Sequence, residues 1–325
     1  MKKIVITLVL LLMSLMIDVS AFAETTSGYS VSPIFSEHQT TGIENFFDIR
    51  WTPLATENFS LRVTNNTDTE QVYDIQINKA RTNKNGIIDY SDVTPEDHAT
   101  LYKLTEMVQL PNEVTVAPNS SQEVAGTLVF PEKDFNGILM AGIHVSEKKE
   151  ENNQSSVSNT VAYNIPFVVR GNIDERPAPS LELSELNVNK FSSDTYSVDV
   201  TLDNVGVNLL KEVQFTAEIR DEKGQLITTQ KSKLDITPET SFIYPIKLTS
   251  DLKEGNYSMS LYVQHNDENK WNFTKKFELS SEEAKEIRGT TKKKATDWLK
   301  YVIISVIVTF IVSSCGYISF KRKNR

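Results

Sequence analysis

Four histidines, His38, His98, His144 and His265, are the first side chains to test for chemistry, because an imidazole titrates near neutrality and binds metals. No two of them stand at a metal-ligand spacing, and the chain carries no HExxH, GxSxG, P-loop or GxGxxG signature. The single cysteine, Cys315, lies in an apolar run near the C-terminus. Cysteine nucleophiles, thiolate metal sites and disulfide staples are therefore excluded from the rest of the chain. The segment Asn83-x-Asn85-Gly86-x-x-Asp89 gathers oxygen ligands around a glycine, as a calcium loop does. It lacks that loop's first carboxylates and its bidentate Glu, and a hairpin turn explains it better. The paired acids Glu96-Asp97 and Glu150-Glu151 fall in polar loop segments. No catalytic constellation emerges, and the expectation is a non-enzymatic protein without cofactor or resident metal.

Binding chemistry is better represented. Trp51, Tyr73, Tyr90 and Tyr102 in one half, and Tyr244, Tyr257, Tyr262 and Trp271 in the other, are rings that could stack on sugars or peptides. Core packing is the simpler account of any one of them. The chain has a net charge of −9, and its basic residues concentrate at the two ends, so the stretch between is more acidic still. Phosphate backbones are repelled by such a surface, which argues against nucleic acid as a partner.

The elements that carry these residues begin with an export signal. Met1-Lys2-Lys3 is followed by a largely apolar run to Ile17 and by Ala21-Phe22-Ala23, a small-x-small cleavage pattern. Residues 1–23 are expected to be a signal peptide. From Tyr301 to Phe320 no charge occurs, and at about 1.5 Å per residue a helix of that length crosses the roughly 30 Å hydrocarbon core. Lys321, Arg322, Lys323 and Arg325 follow, and such a cluster stays in the cytoplasm. The expected order is a juxtamembrane segment 291–300, one transmembrane helix 301–320 and a cytoplasmic tail 321–325, with the body outside a bacterial-type membrane. A body of this size without cysteine is unlike an exported animal protein, and favours a bacterium with a single membrane.

Between the ends the pattern is alternation with period two, the mark of half-buried strands. Phe46–Trp51, Phe59–Val63, Gln71–Asn78, Val114–Val116, Glu123–Phe130, Ile138–Val145 and Val161–Val169 make one group. Ile138–Val145 and Val161–Val169 are expected to be the arms of one long hairpin. A proline-containing linker, 170–179, separates a second group of seven short strands. These are Leu181–Val188, Tyr196–Leu202, Val213–Arg220, Leu226–Thr229, Phe242–Leu248, Tyr257–Gln264 and Lys275–Leu279. Leu61–Asn66 echoes Val200–Asn204, which suggests two units of similar topology. Ser280 or Ser281 can cap a short polar helix. The predicted fold is all-β: two tandem immunoglobulin-like β-sandwich domains, 24–170 and 171–290, between signal peptide and membrane helix.

In order, Tyr29-x-Val31-x-Pro33-Ile34-x-x-Glu37-x-Gln39, Phe46-Phe47-Asp48, Leu61-x-Val63-x-Asn65 and Ala80-x-Thr82-Asn83-x-Asn85-Gly86-Ile87-Ile88-x-Tyr90 resemble the WxL-interacting protein family of Gram-positive bacteria. The later stretch Val168-Val169-Arg170-Gly171 fits as well. The chain has Glu37-His38-Gln39 where the family usually has Glu-Asn-Gln. The resemblance implies a cell-surface protein with a peptidoglycan-binding domain and a host-binding domain. The implied partners are peptidoglycan, secreted WxL-domain proteins and, beyond them, host matrix proteins. Glu37, Gln39, Asn83, Asn85 and Tyr90 are the motif residues expected to serve ligand binding. An extracytoplasmic chaperone or assembly factor for secreted surface proteins is the alternative reading.

Overall fold

A computed structural model describes residues 28–96, 100–148, 161–192, 195–248 and 253–285. The predicted signal peptide, juxtamembrane segment, transmembrane helix and tail lie outside the described residues, as do His98 and Cys315. Among the described residues no helix is long and apolar enough to cross a membrane.

Alternation becomes two β-sandwiches. In the first, β1 (Tyr29–Ile34), β3 (Thr56–Asn65), β9 (Ser120–Val129) and β7 (Val108–Gln109) form one sheet, in that order. The facing sheet runs β2 (Phe47–Arg50), β11 (Ala162–Arg170), β10 (Ile138–Glu147), β4 (Gln71–Lys79), β8 (Glu113–Val116). The expected hairpin is β10–β11, paired antiparallel from Ile138↔Arg170 to Ser146↔Ala162. β2 joins β11 in parallel. Along β3, Phe59, Leu61 and Val63 point inward while Asn58 and Arg62 face solvent. The core between the sheets includes Phe47, Phe59 and Phe167, whose ring centroids lie 5.0 Å apart pairwise. A one-turn helix, α1 (Leu104–Met107), precedes β7.

The second sandwich has the seven strands expected. β12 (Leu181–Ser192), β13 (Thr195–Asn204) and β16 (Thr240–Lys247) form one sheet. β15 (Leu226–Ile236), β14 (Leu210–Asp221), β17 (Gly255–Gln264) and β18 (Lys270–Leu279) form the other. Ser280 caps the short helix that follows: its hydroxyl accepts the Glu283 N–H, and the Glu283 carboxylate accepts the Ser280 N–H. That bonding holds the Glu283 pKa below its usual value.

The echo between the two units has a physical basis. Asn65 and Asn204 each end a strand, and both are buried. Each donates its amide to backbone carbonyls, Val116 and Ala117 for Asn65, Asn208 and Thr237 for Asn204. Each accepts the N–H two residues on, from Thr67 and Gly206. One side chain thus satisfies the polar groups of a chain reversal, a need both sandwiches share.

The sandwiches dock through a hairpin of the first, β5 (Arg81–Thr82) with β6 (Ile88–Asp89). The Thr82 hydroxyl donates to Asp235 O and accepts Thr237 N–H, and Asp235 N–H donates to Gly86 O. Ile138 N–H donates to Val207 O. A small apolar cluster of Ala80, Ile138, Met140 and Val168 takes in Leu209 of the second unit. This explains why β10 is apolar on both faces: one lies on the core, the other under this cluster.

Candidate functional site

The five motif residues occupy two places. Gln39 organises the loop before β2: its amide donates to Ile43 O and Phe46 O, and its carbonyl accepts Asp48 N–H. Glu37 precedes it, exposed. Asn83 builds the hairpin turn, its carbonyl accepting Asn85 N–H and Ile87 N–H, while Asn85 is exposed at the tip. Tyr90 lies flat on β10, where a side chain on Gly142 would meet its ring at 2.4 Å. Burial pushes the Tyr90 pKa up to about 12. Gln39, Asn83 and Tyr90 therefore have structural work in local turns and packing, and Glu37 and Asn85 present free faces.

The motif pieces Phe46-Phe47-Asp48 and Val168-Val169-Arg170-Gly171 do meet. Parallel pairing puts Asp48 one register step from Val169 and two from Arg170, and Arg170 Nε and Nη2 donate to both Asp48 oxygens at 2.6–2.9 Å. Thr40 Oγ donates to the same carboxylate at 2.8 Å.

A groove runs along β9 and the short β7; of the residues lining it, Tyr102 was among the rings the sequence offered for stacking, and the others were not singled out. One end, a cavity of about 400 Å³, is lined by Phe35, Asn58, Ser60, Gln109 and Thr127. The other, about 470 Å³, is lined by Leu101, Tyr102, Gln109, Val129 and Pro131. Gln109 belongs to both ends. Beneath the second, Trp51 packs against Tyr102, Phe130 and Phe135, with centroids 4.9–5.6 Å apart. Leu101 is 73% exposed and Leu54, beside Pro131, equally so. β7 pairs with only Leu128 and Thr127, so among the described residues the rest of the outer β9 edge has no strand partner. Amide and hydroxyl side chains beside apolar faces suit a ligand of sugars and peptides. The signal for it was weak in sequence, since Asn58, Ser60 and Thr127 are the ordinary solvent-face residues of strands.

A second concave place lies between the sandwiches. Lys79, at the end of β4, and Glu96 have buried side chains whose Nζ and Oε2 atoms lie 3.3 Å apart. Glu96 Oε1 accepts from the N–H and hydroxyl of Thr105 at the start of α1. Glu239, in the β15–β16 turn of the second sandwich, faces them. Desolvation raises the Glu239 pKa, and Glu96 adds to the rise while Lys79 opposes it. Arg81 and Asp203 line the same space. A carboxyl whose folded pKa lies above its unfolded value stabilises the fold below that unfolded value, and the contribution is lost as pH rises through the folded one. Glu239→Gln is therefore expected to raise the melting temperature at neutral pH, with the gain closing as pH falls into the carboxylate range. Thermal melts of both proteins across pH would show it; a gain that grows on acidification would contradict the burial argument.

Comparison with known proteins also divides the chain in two, at a different place. A family model described as WxL Interacting Protein, peptidoglycan binding domain, matches residues 29–147. A second, WxL Interacting Protein, host binding domain, matches residues 152–288. The second match begins ahead of β11, which pairs within the first sandwich. No curated protein matches. Among solved structures, the class 5 fimbrial chaperone CfaA is 13% identical, with 76% of this chain and 98% of that chain covered and a TM-score of 0.31. The E. coli chaperone DraB is 14% identical, with 78% and 97% covered and a TM-score of 0.30. A PapD-like domain of human CEP192 is 13% identical, with 47% and 94% covered and a TM-score of 0.28. Likeness at these scores carries no argument about what the chain does. The two family models, in order and one after the other over 29–288, carry the assignment: the chain belongs to the WxL-interacting protein family.

Proposed function

We propose that the chain is a membrane-anchored cell-surface scaffold whose first sandwich holds peptidoglycan and which also binds WxL-domain proteins and host matrix. The observation that carries this reading is the match of a peptidoglycan-binding and a host-binding family model to successive parts of one exported-type chain. The groove beside β9 is the best-fitting seat for peptidoglycan. Its Asn58, Ser60, Gln109 and Thr127 offer amide and hydroxyl groups to sugar hydroxyls and peptide bonds, and Phe35 and Leu101 offer apolar faces. Glu37 and Asn85 stand as further contacts, with Gln39, Asn83 and Tyr90 holding their segments in place. For a protein partner, the outer edge of β18 and the open part of β9 offer backbone groups for strand addition. The apolar stretch 301–320 would retain the chain at the membrane, with its body facing the wall.

The test is sedimentation of the purified full-length chain with insoluble peptidoglycan. Retention is expected, and the double variant Gln109→Ala, Leu101→Ser is expected to weaken it about tenfold with an unchanged melt. Failure of the wild-type chain to sediment with the wall would overturn the peptidoglycan reading, and full retention by the double variant would move the site elsewhere. Co-purification of a WxL-domain protein from native cells decides the partner.

A further inference from the structure

The groove beside β9 differs from the rest of its sheet face in what its polar side chains do. Further along β3 and β9 the outward residues answer one another: Thr64 Oγ1 and Ser121 Oγ lie 2.8 Å apart, and Arg62 Nη2 donates to Glu123 Oε1 at 2.8 Å. In the groove this pairing stops. Asn58 and Gln109 are exposed, Ser60 and Thr127 half-buried, and among the described residues none of the four has a side-chain hydrogen bond. Register puts three of them in line, Asn58 opposite Thr127 and Thr127 opposite Gln109. Strands in a sheet run about 4.8 Å apart, so the two amides stand roughly 10 Å apart with a hydroxyl between them. Charge is the second observation. No Asp, Glu, Lys, Arg or His lines the end that holds Phe35. At the end that holds Leu101 the charged lining residues are Lys103 and Glu106, and these pair with each other at 3.2 Å.

The two parts of peptidoglycan make opposite demands on such a groove. A stem peptide carries free carboxylates, and a carboxylate taken out of water needs a cation or several strong donors. The groove offers no unpaired cation, and the chain as a whole is acidic at −9. The glycan strand is a β-1,4-linked run of N-acetylated hexosamines. It presents hydroxyls, amides and apolar ring faces, which neutral side chains can meet. An acetamido group pairs with a carboxamide side chain, donor to acceptor in both directions. Its disaccharide repeat is also about as long as the step from Asn58 to Gln109. We propose that this groove holds the glycan strand of peptidoglycan, an N-acetylated hexosamine chain, and not its stem peptide. Acetamido groups lie on Asn58 and Gln109, and ring faces and acetyl methyls on Phe35 and Leu101. This rests on the peptidoglycan reading of the same groove and narrows it to one of the polymer's two chemistries.

Sedimentation of the full-length chain with chitin, with cellulose and with intact peptidoglycan tests this. Chitin is a β-1,4-linked N-acetylated chain without peptide, and cellulose carries a hydroxyl where chitin carries the acetamido group. Retention on chitin is expected, at least about tenfold better than on cellulose. Soluble chitin tetramer should displace the chain from chitin and from peptidoglycan, and free stem peptide from neither. Asn58→Ala, at an exposed strand position, is expected to weaken retention on chitin about tenfold with an unchanged melt. Lys103→Gln should leave it within about twofold, because the charge it removes is already paired. Equal retention on cellulose, displacement by the stem peptide, a tenfold loss in Lys103→Gln, or chitin binding that Asn58→Ala leaves untouched would each overturn the proposal. Retention on peptidoglycan without retention on chitin overturns it too and leaves the peptidoglycan reading standing, whereas a chain that sediments with neither overturns both.

Discussion

Arg170→Met is expected to lower the melting temperature of the first sandwich by roughly 10 °C, as seen by calorimetry. The Asp48 side chain is 0% exposed and that of Arg170 32% exposed, so the carboxylate depends on the guanidinium while the guanidinium retains water. Removing the cation leaves a buried carboxylate with only the Thr40 hydroxyl donating to it, a loss of about 3–5 kcal/mol in comparable pairs. For a domain of this size each kcal/mol shifts the melt by about 2–4 °C. The pair also closes the parallel seam of β2 on β11, the one parallel contact in the sheet. The double variant Asp48→Leu, Arg170→Leu removes the stranded charge and should recover a good part of the loss. A single variant that melts within 1–2 °C of the parent would show that the ion pair has little net worth, as many exposed pairs do.

This pair shows where sequence reading stops. Phe46-Phe47-Asp48 and Val168-Val169-Arg170-Gly171 were both visible as motif pieces, but nothing in a period-two pattern says which strands become parallel neighbours across more than a hundred residues. The seven strands of the second sandwich were legible because each alternates cleanly and is bounded by turn residues such as Lys223-Gly224. The long hairpin 138–170 was legible because two apolar runs flank one polar loop. β1 went unread as a strand, since Tyr29-Ser30-Val31-Ser32 is short and follows directly on the polar stretch Glu24–Gly28. Two-residue β7 and one-turn α1 fall below any periodic signal. The groove they help to line was hidden for the same reason. Lys79 is a further case: a lysine at a strand end reads as a solvated charge, but in the fold it is buried against Glu96.

The hairpin turn at Asn85-Gly86 was expected from its dipeptide, but its role as the dock between sandwiches was not, and this gives the other large effect. Gly86 sits at φ +76°, where a non-glycine residue costs about 1–2 kcal/mol. A Cβ there would also lie 2.4 Å from Leu234 Cγ and 3.0 Å from Leu234 Cβ. Those atoms sit near the backbone of β15 and cannot swing aside as a side-chain tip would. Overpacking of that kind adds about 1–3 kcal/mol. The strain falls on the contact, because Leu234 can be relieved by moving the second sandwich away from the hairpin. Gly86→Ala is thus expected to break the Asp235 N–H to Gly86 O and Thr237 N–H to Thr82 Oγ bonds and to leave both cores intact. Hydrogen exchange should rise at the amides of Asp235 and Thr237, and proteolysis in the 171–180 linker should quicken, while the core strands β10 and β14 keep their protection. Leu234→Ala in the same chain opens room for the new methyl and should restore part of the docking. If exchange at 235–237 stays at the parental level in Gly86→Ala, the hairpin is not what holds the sandwiches together, and the small contact of Ile138 N–H with Val207 O, backed by Leu209, must carry that role instead.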